Sequence, residues 1–154
     1  METNKTPEEQ LRQVERAQTA PWVDYPPTPN WYYPAVGLWL GAMCVAAVKV
    51  FSDNRWIAVV AVLLVLEVTL INWMKRGRPA MPNLRTVPGE FEPLVKWFVL
   101  TAILIVAATL ALVIAGLEVA GFSLGAAATA IGLYVYEKKF EAAADQARLR
   151  LDLR

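Results

Sequence analysis

The chain has 154 residues, of which 56% are apolar and 19% charged, with a formal net charge of +1. Soluble domains run about 45–50% apolar and about 25% charged, and the apolar excess here lies in long runs, which argues against a soluble globular domain, a disordered chain or a disulfide-stapled module. The absence of histidine and the single cysteine, Cys44, leave no basis for Ser-His or Cys-His catalysis, an internal disulfide or a His/Cys metal site, and a near-neutral charge gives no basic field for nucleic acid.

In chain order, residues 1–30 form a polar tail. Thr6-Pro7-Glu8-Glu9 reads as a helix start: Thr6 caps, Pro7 suits the first helical position and Glu9 completes a capping box. This helix is expected to stop before Pro21, with only a thin apolar stripe at Leu11 and Val14. Pro21 to Pro34 (PWVDYPPTPNWYYP) then favours extended geometry. Its interleaved Trp22, Tyr25, Trp31, Tyr32 and Tyr33 suit either a stiff belt at the headgroup level or a docking segment for a partner protein.

Residues 31–136 hold four apolar runs, at about Tyr33–Phe51, Trp56–Met74, Val95–Leu117 and Val119–Tyr136. A membrane-spanning helix needs about 20 mostly apolar residues to cross roughly 30 Å of hydrocarbon. The second and third runs show no polar face, and a chain of this size cannot bury such helices in a core of its own. Alternation of lumen and lipid faces is also lacking, so these are not barrel strands.

The first run carries Gly37 and Gly41 as GxxxG, extended by Ala42 and Ala46. Gly41 also stands where a lipoprotein cleavage site needs Leu three residues before Cys44, so that cysteine reads as an ordinary small apolar residue. Ser52 to Arg55 is a polar turn. The second run contains Glu67, 11 residues after Trp56 and 8 before Lys75, hence about 16 Å from one end and about 12 Å from the other. A charge near mid-bilayer costs at least ~2.5–3.5 kcal/mol. Lys49 is too near the outer end to pair with it and is expected to snorkel outward. Counting inward from the cytoplasmic ends puts Trp39 and Thr129 at the depth of Glu67, with Thr101 about a turn shallower. These are the expected hydrogen-bond partners, with Glu67 acting as packing glue between helices. A proton-coupled or substrate-binding role, or contact with a second membrane protein, are the other readings.

The loop 75–93 is proline-rich, and Lys75, Arg76 and Arg78 at its start suit topology setting or attraction to anionic headgroups. The third and fourth runs are joined near Glu118–Gly121, barely a turn. Gly121, Gly125, Thr129 and Gly132 give the fourth run a small-residue surface that admits close helix approach. Runs one and four are therefore expected inside, or one of them as a homodimer face, and runs two and three toward lipid. Residues 137–154, alanine-rich and free of Gly and Pro, continue as a helix with a weak stripe at Phe140, Ala144, Ala147 and Leu151.

Thirteen of the 15 lysines and arginines fall in the tails, the middle loop and the foot of run three, leaving only Lys49 and Arg55 opposite. The positive-inside rule then places both termini and the loop 75–93 in the cytoplasm. About 30 polar residues precede the first run, unlike a secretory signal. The expected fold is all-α: an integral-membrane four-helix bundle of two antiparallel helical hairpins with cytoplasmic N- and C-terminal helical extensions.

Neither paired intramembrane Asp residues nor a phosphate-binding glycine loop is present, so an enzyme is not expected, nor a cofactor or metal. Four short spans with one embedded acid, Glu67, are similar to the small multidrug resistance exporters. That similarity implies an oligomer using the carboxylate as a shared proton and drug site. The chain departs from that family in having the acid in its second span, longer tails and a larger middle loop, and the family is not assigned. The leading expectation is an accessory, scaffolding or regulatory membrane protein that binds partners through its cytoplasmic tails. Membrane lipid is one partner, a second copy or another membrane protein is left open, and a proton-coupled exporter is the alternative.

Overall fold

A computed structural model describes residues 6–24, 26–76 and 87–151. Five helices follow in order: α1 (Pro7–Val23), α2 (Tyr32–Lys49), α3 (Arg55–Arg76), α4 (Glu92–Ile114) and α5 (Glu118–Leu151). No strand occurs among the described residues. The four helices α2 to α5 are long and apolar enough to cross a membrane. Tyr25 and Arg78, singled out in the sequence, and residues 77–86 of the proline-rich loop lie outside the described residues.

The start of α1 is built by local chemistry. Thr6 Oγ1 accepts from the Glu9 N–H at 3.3 Å, and the Glu9 carboxylate accepts from the Thr6 N–H at 3.0 Å. Two orphan donors of the first turn are thereby satisfied. The helix does not stop before Pro21 but runs through it to Val23, and the Asp24 N–H still bonds to the Ala20 carbonyl at 2.9 Å. A proline this late forfeits one helical bond. The extra turn is held because it carries Trp22 and Val23, each 2% exposed, into a core.

The junction between α4 and α5 also differs from expectation. Glu118–Gly121 is the first turn of α5, and the link is Ala115–Leu117. Gly116 adopts φ +81, its N–H bonds to the Val113 carbonyl, and the Leu117 N–H bonds to the Leu112 carbonyl. This pair of bonds is a Schellman motif, which needs a left-handed residue just past the helix end.

α2 and α5 share the most extensive contact, followed by α4 with α5, while α3 meets only α2 and α1 meets only α5. No residue of α3 is buried, whereas α4 buries Thr109 and Val113 against its neighbours. α3 is therefore the peripheral helix, and α4 is half inside. The partly covered positions of α3 are Trp56, Val60, Leu63, Glu67, Leu70 and Met74. Their alternating spacing of four and three traces one seam, and it faces α2.

The helix contacts run through glycine. A Cβ on Gly37 would strike the Ala126 carbonyl, and one on Gly41 would lie 2.7 Å from the Phe122 carbonyl oxygen. A Cβ on Gly121 would lie 2.7 Å from Val113 Cγ2, and one on Gly125 3.1 Å from Thr109 and 3.3 Å from the Gly41 Cα. Gly125 thus stands where α2, α4 and α5 meet, and their backbones approach as closely as small residues permit.

Beyond the apolar stretch, α5 runs on without a break and packs against α1. Trp22, Val23, Phe91, Ala143, Ala144 and Ala147 form one buried cluster, with Val87, Leu94, Val95 and Phe140 against it. Three segments far apart in sequence build this head: α1, the stretch 87–91 and the last third of α5.

Candidate functional site

Two places on the molecule have the geometry of a site. The first is a groove of about 430 Å³ among α2, α4 and α5. Trp39, Thr101 and Thr129, three of the four polar residues singled out by depth, all line it. Glu67 does not. Its seam lies on the other side of α2, and no hydrogen bond or ion pair joins Glu67 to another described residue. Trp39 Nε1 instead donates to the Leu63 carbonyl of α3 at 2.9 Å, one helical turn before Glu67. Thr129 Oγ1 is buried without a partner among the described residues, as is Thr109 Oγ1 deeper in the bundle.

Gly132, read from the sequence as a packing glycine, borders this groove. A Cβ there would meet only Ile105 Cδ1, at an ordinary 3.8 Å. The other four glycines touch backbone or side chain closely, while Gly132 is the loosest of the five. At the end of the groove nearer the C-terminus stand Tyr136 and Lys139. Lys138, its neighbour, pairs with Glu141 at 2.8 Å, and the hydrogen bond and charge of Glu141 raise its pKa. Lys139 has no ion pair among the described residues.

The second place is the head. Trp22 packs tilted against Phe91 at 5.2 Å between ring centroids, and Phe91 tilted against Phe140 at 4.8 Å. The chain of rings continues through Tyr136 to Phe98 on α4, which joins the head to the apolar helices. Arg148 Nη2 donates to the Val23 carbonyl at 2.8 Å. It supplies at the end of α1 the cation that the helix's own last turn lacks. Arg150 reaches Glu15 at 2.7 Å and Glu90 at 2.8 Å. The Thr28 N–H donates to Glu137 at 2.7 Å, and Tyr33 packs edge-on against Tyr134. These contacts bring the segment after α1 back onto α5. The tails were legible as two separate helices; the sequence carries no short-range signal that Trp22, Phe91 and Phe140 meet.

On the outer side of the head, Arg12, Glu15 and Arg16 of α1 border a polar cleft with Arg150. Arg12 and Arg16 have no ion pair among the described residues. Leu11 and Val14 beside them are 70% and 53% exposed.

At the opposite end of the molecule, Lys49 does not stand alone. It pairs with Glu118 at 2.7 Å and lies over the Trp56 ring at 5.2 Å from its centroid. One cation thereby links the ends of α2, α3 and α5. Lys75 and Arg76 end α3 exposed and line neither place. No group of three or more His, Cys, Asp or Glu residues able to hold a metal occurs among the described residues.

The chain matches no family model, and neither a curated protein nor a solved structure is similar to it.

Proposed function

We propose that this chain is a multi-pass protein of the inner or plasma membrane, built of two antiparallel hairpins, with both termini and the loop 75–93 in the cytoplasm. In this reading it has no catalytic machinery and serves as an accessory, scaffolding or regulatory component that binds partners through its folded cytoplasmic head. The observation that carries the reading is the buried cluster of Trp22, Phe91 and Ala147. A core cannot straddle a bilayer, so the three segments that build it share one side. Thirteen of the 15 basic residues, counted on the same division, make that side the cytoplasmic one. A plain anchor gains nothing from burying Trp22 and Phe91, whereas recognition needs a surface of fixed shape.

The surface best suited to recognition is the α1 side of the head, where Arg12 and Arg16, without an ion pair among the described residues, border the cleft with Arg150, and Leu11 and Val14 of the same helix are exposed. Apolar anchors beside paired guanidinium groups suit an acidic amphipathic segment of a partner protein. The test is quantitative co-purification from mild detergent after crosslinking in cells, comparing the parent with Arg12→Glu/Arg16→Glu. Specific partners should be captured by the parent and lost from the double variant. Equal capture by both would overturn this surface, and capture of nothing by the parent would overturn the scaffold reading.

A further inference from the structure

The groove among α2, α4 and α5 has a direction. Its deep end holds the indole of Trp39 and the unpartnered hydroxyl of Thr129. Its shallow end holds Lys139. The ten residues from Thr129 to Lys139 on α5 rise about 15 Å, half of the roughly 30 Å hydrocarbon core. The groove is therefore about one leaflet deep. Between its ends the walls are apolar apart from Thr101, and two of the lining residues, Trp97 and Val135, are 68% and 45% exposed. A chain lying in the bilayer can reach it from the side.

We infer that this groove is a binding site for one anionic membrane lipid of the cytoplasmic leaflet, with an acyl chain along Gly132 and the headgroup charge on Lys139. The inference rests on reading α2, α4 and α5 as membrane spans. Charge complementarity selects the occupant. Lys138 is engaged by Glu141, which leaves Lys139 as the cation at the groove mouth. A lysine at the end of a span carries its ammonium to the headgroup level, where an anionic headgroup is attracted. The Tyr136 and Trp97 rings flank the same level, as amphipathic rings do at membrane interfaces. The missing side chain at Gly132, on the groove wall, has a use in this arrangement: a larger side chain there would occupy the path of the acyl chain.

The full chain is reconstituted in nanodiscs of equal phosphatidylglycerol and phosphatidylcholine, released into mild detergent, and its retained lipids are measured by native mass spectrometry. The parent should hold one lipid with a several-fold preference for phosphatidylglycerol. Lys139→Gln, at an exposed position, should keep a lipid but lose that preference. Gly132→Leu, and independently Ala102→Leu on the facing wall, should hold no lipid at this site while melting like the parent. Lys75→Gln/Arg76→Gln, whose cations lie away from the groove, should behave as the parent. An unchanged preference in Lys139→Gln, or undiminished retention in a folded plug variant, would overturn the site. Resistance of the parent to alkaline extraction from cell membranes is scored separately. Its failure would refute the membrane reading itself and not merely the lipid site.

Discussion

The indole N–H of Trp39 donates to the carbonyl of Leu63 at 2.9 Å, across the seam between α2 and α3. That carbonyl already serves the helical ladder of α3, so the indole shares an acceptor rather than claiming a free one. In hydrocarbon an indole without any partner costs several kcal/mol. The bond therefore pins the peripheral α3 to α2 at one depth, where packing alone is thin because no residue of α3 is buried. Trp39→Phe keeps the ring and removes the donor. It should lower stability by roughly 1 kcal/mol, in line with hydrogen bonds between membrane helices. Reversible unfolding in mixed micelles measures this, and an unchanged midpoint would show that the bond contributes nothing.

Glu67 shares the α2-facing seam but stands apart from Trp39, Thr101 and Thr129 in the groove. If its role is structural, Glu67→Gln should fold and support growth like the parent, since an amide keeps a donor and an acceptor. Glu67→Leu should be at least as stable as the parent, because no described donor loses its acceptor. A proton-coupled exporter predicts the opposite pattern: Glu67→Gln folds yet abolishes substrate-driven proton flux in vesicles. Flux in the parent that vanishes in Glu67→Gln would replace the scaffold with the exporter.

The helices were legible because their causes are local. Apolar length marked α2 to α5, the Thr6–Glu9 box marked the start of α1, and a helix-favouring composition carried α5 past residue 136. Depth counting put Trp39 and Thr129 at one level, and both line one groove. It could not show which neighbour each face of α2 meets: Trp39 reaches the seam but bonds to the Leu63 carbonyl, and Thr101 and Thr129 lie in the groove that Glu67 does not line. The Gly116 turn was missed because the acid and glycine at 118 and 121 gave a stronger turn signal than a lone Gly. The head was missed for a different reason. Its core joins residues 22, 91 and 147, and nothing in the periodicity of one segment reports contacts at such separations.

The glycines should divide by contact rather than by residue type. Gly41→Leu and Gly125→Leu force atoms into the Phe122 carbonyl and into Thr109, and overpacking of this kind costs about 1–3 kcal/mol or more. Gly132→Ala meets only Ile105 at ordinary distance and should melt within about 0.5 kcal/mol of the parent or above it, since alanine favours the helix. Thermal scans in detergent compare the three. Equal melting of all three variants would refute close α2–α5 packing.

The proposed sidedness rests on the distribution of basic residues and is checked with cysteine labelling in a Cys44→Ala background. A membrane-impermeant maleimide applied to intact cells should label Asn54→Cys, in the turn between α2 and α3, and should leave Gln18→Cys and Gln146→Cys unlabelled until the cells are opened. The last two positions are exposed on α1 and α5, so lack of reaction before opening reports the membrane and not burial. Labelling of Gln18→Cys from outside would invert the orientation and move the head out of the cytoplasm.

The head should come apart without the membrane helices. Phe91 is fully buried and touches both Trp22 and Phe140, so Phe91→Ala removes a shared ring and leaves a cavity, at about 3–5 kcal/mol. A cluster this small has little stability to spare. α1 should then detach while the glycine contacts of α2, α4 and α5 persist. Limited trypsin digestion reads the separation, because Arg12 and Arg16 lie on α1 and the Arg148 and Arg150 bonds hold it to α5. Cleavage within α1 should accelerate at least tenfold in Phe91→Ala, with helical content nearly unchanged by circular dichroism. Arg150→Gln breaks the half-exposed pair to Glu15 and the pair to Glu90, whose side chain is 17% exposed; partly exposed ion pairs are worth about 1 kcal/mol, so it should accelerate cleavage less than Phe91→Ala. Equal effects of the two variants would mean that charge, and not the aromatic cluster, holds the tails together.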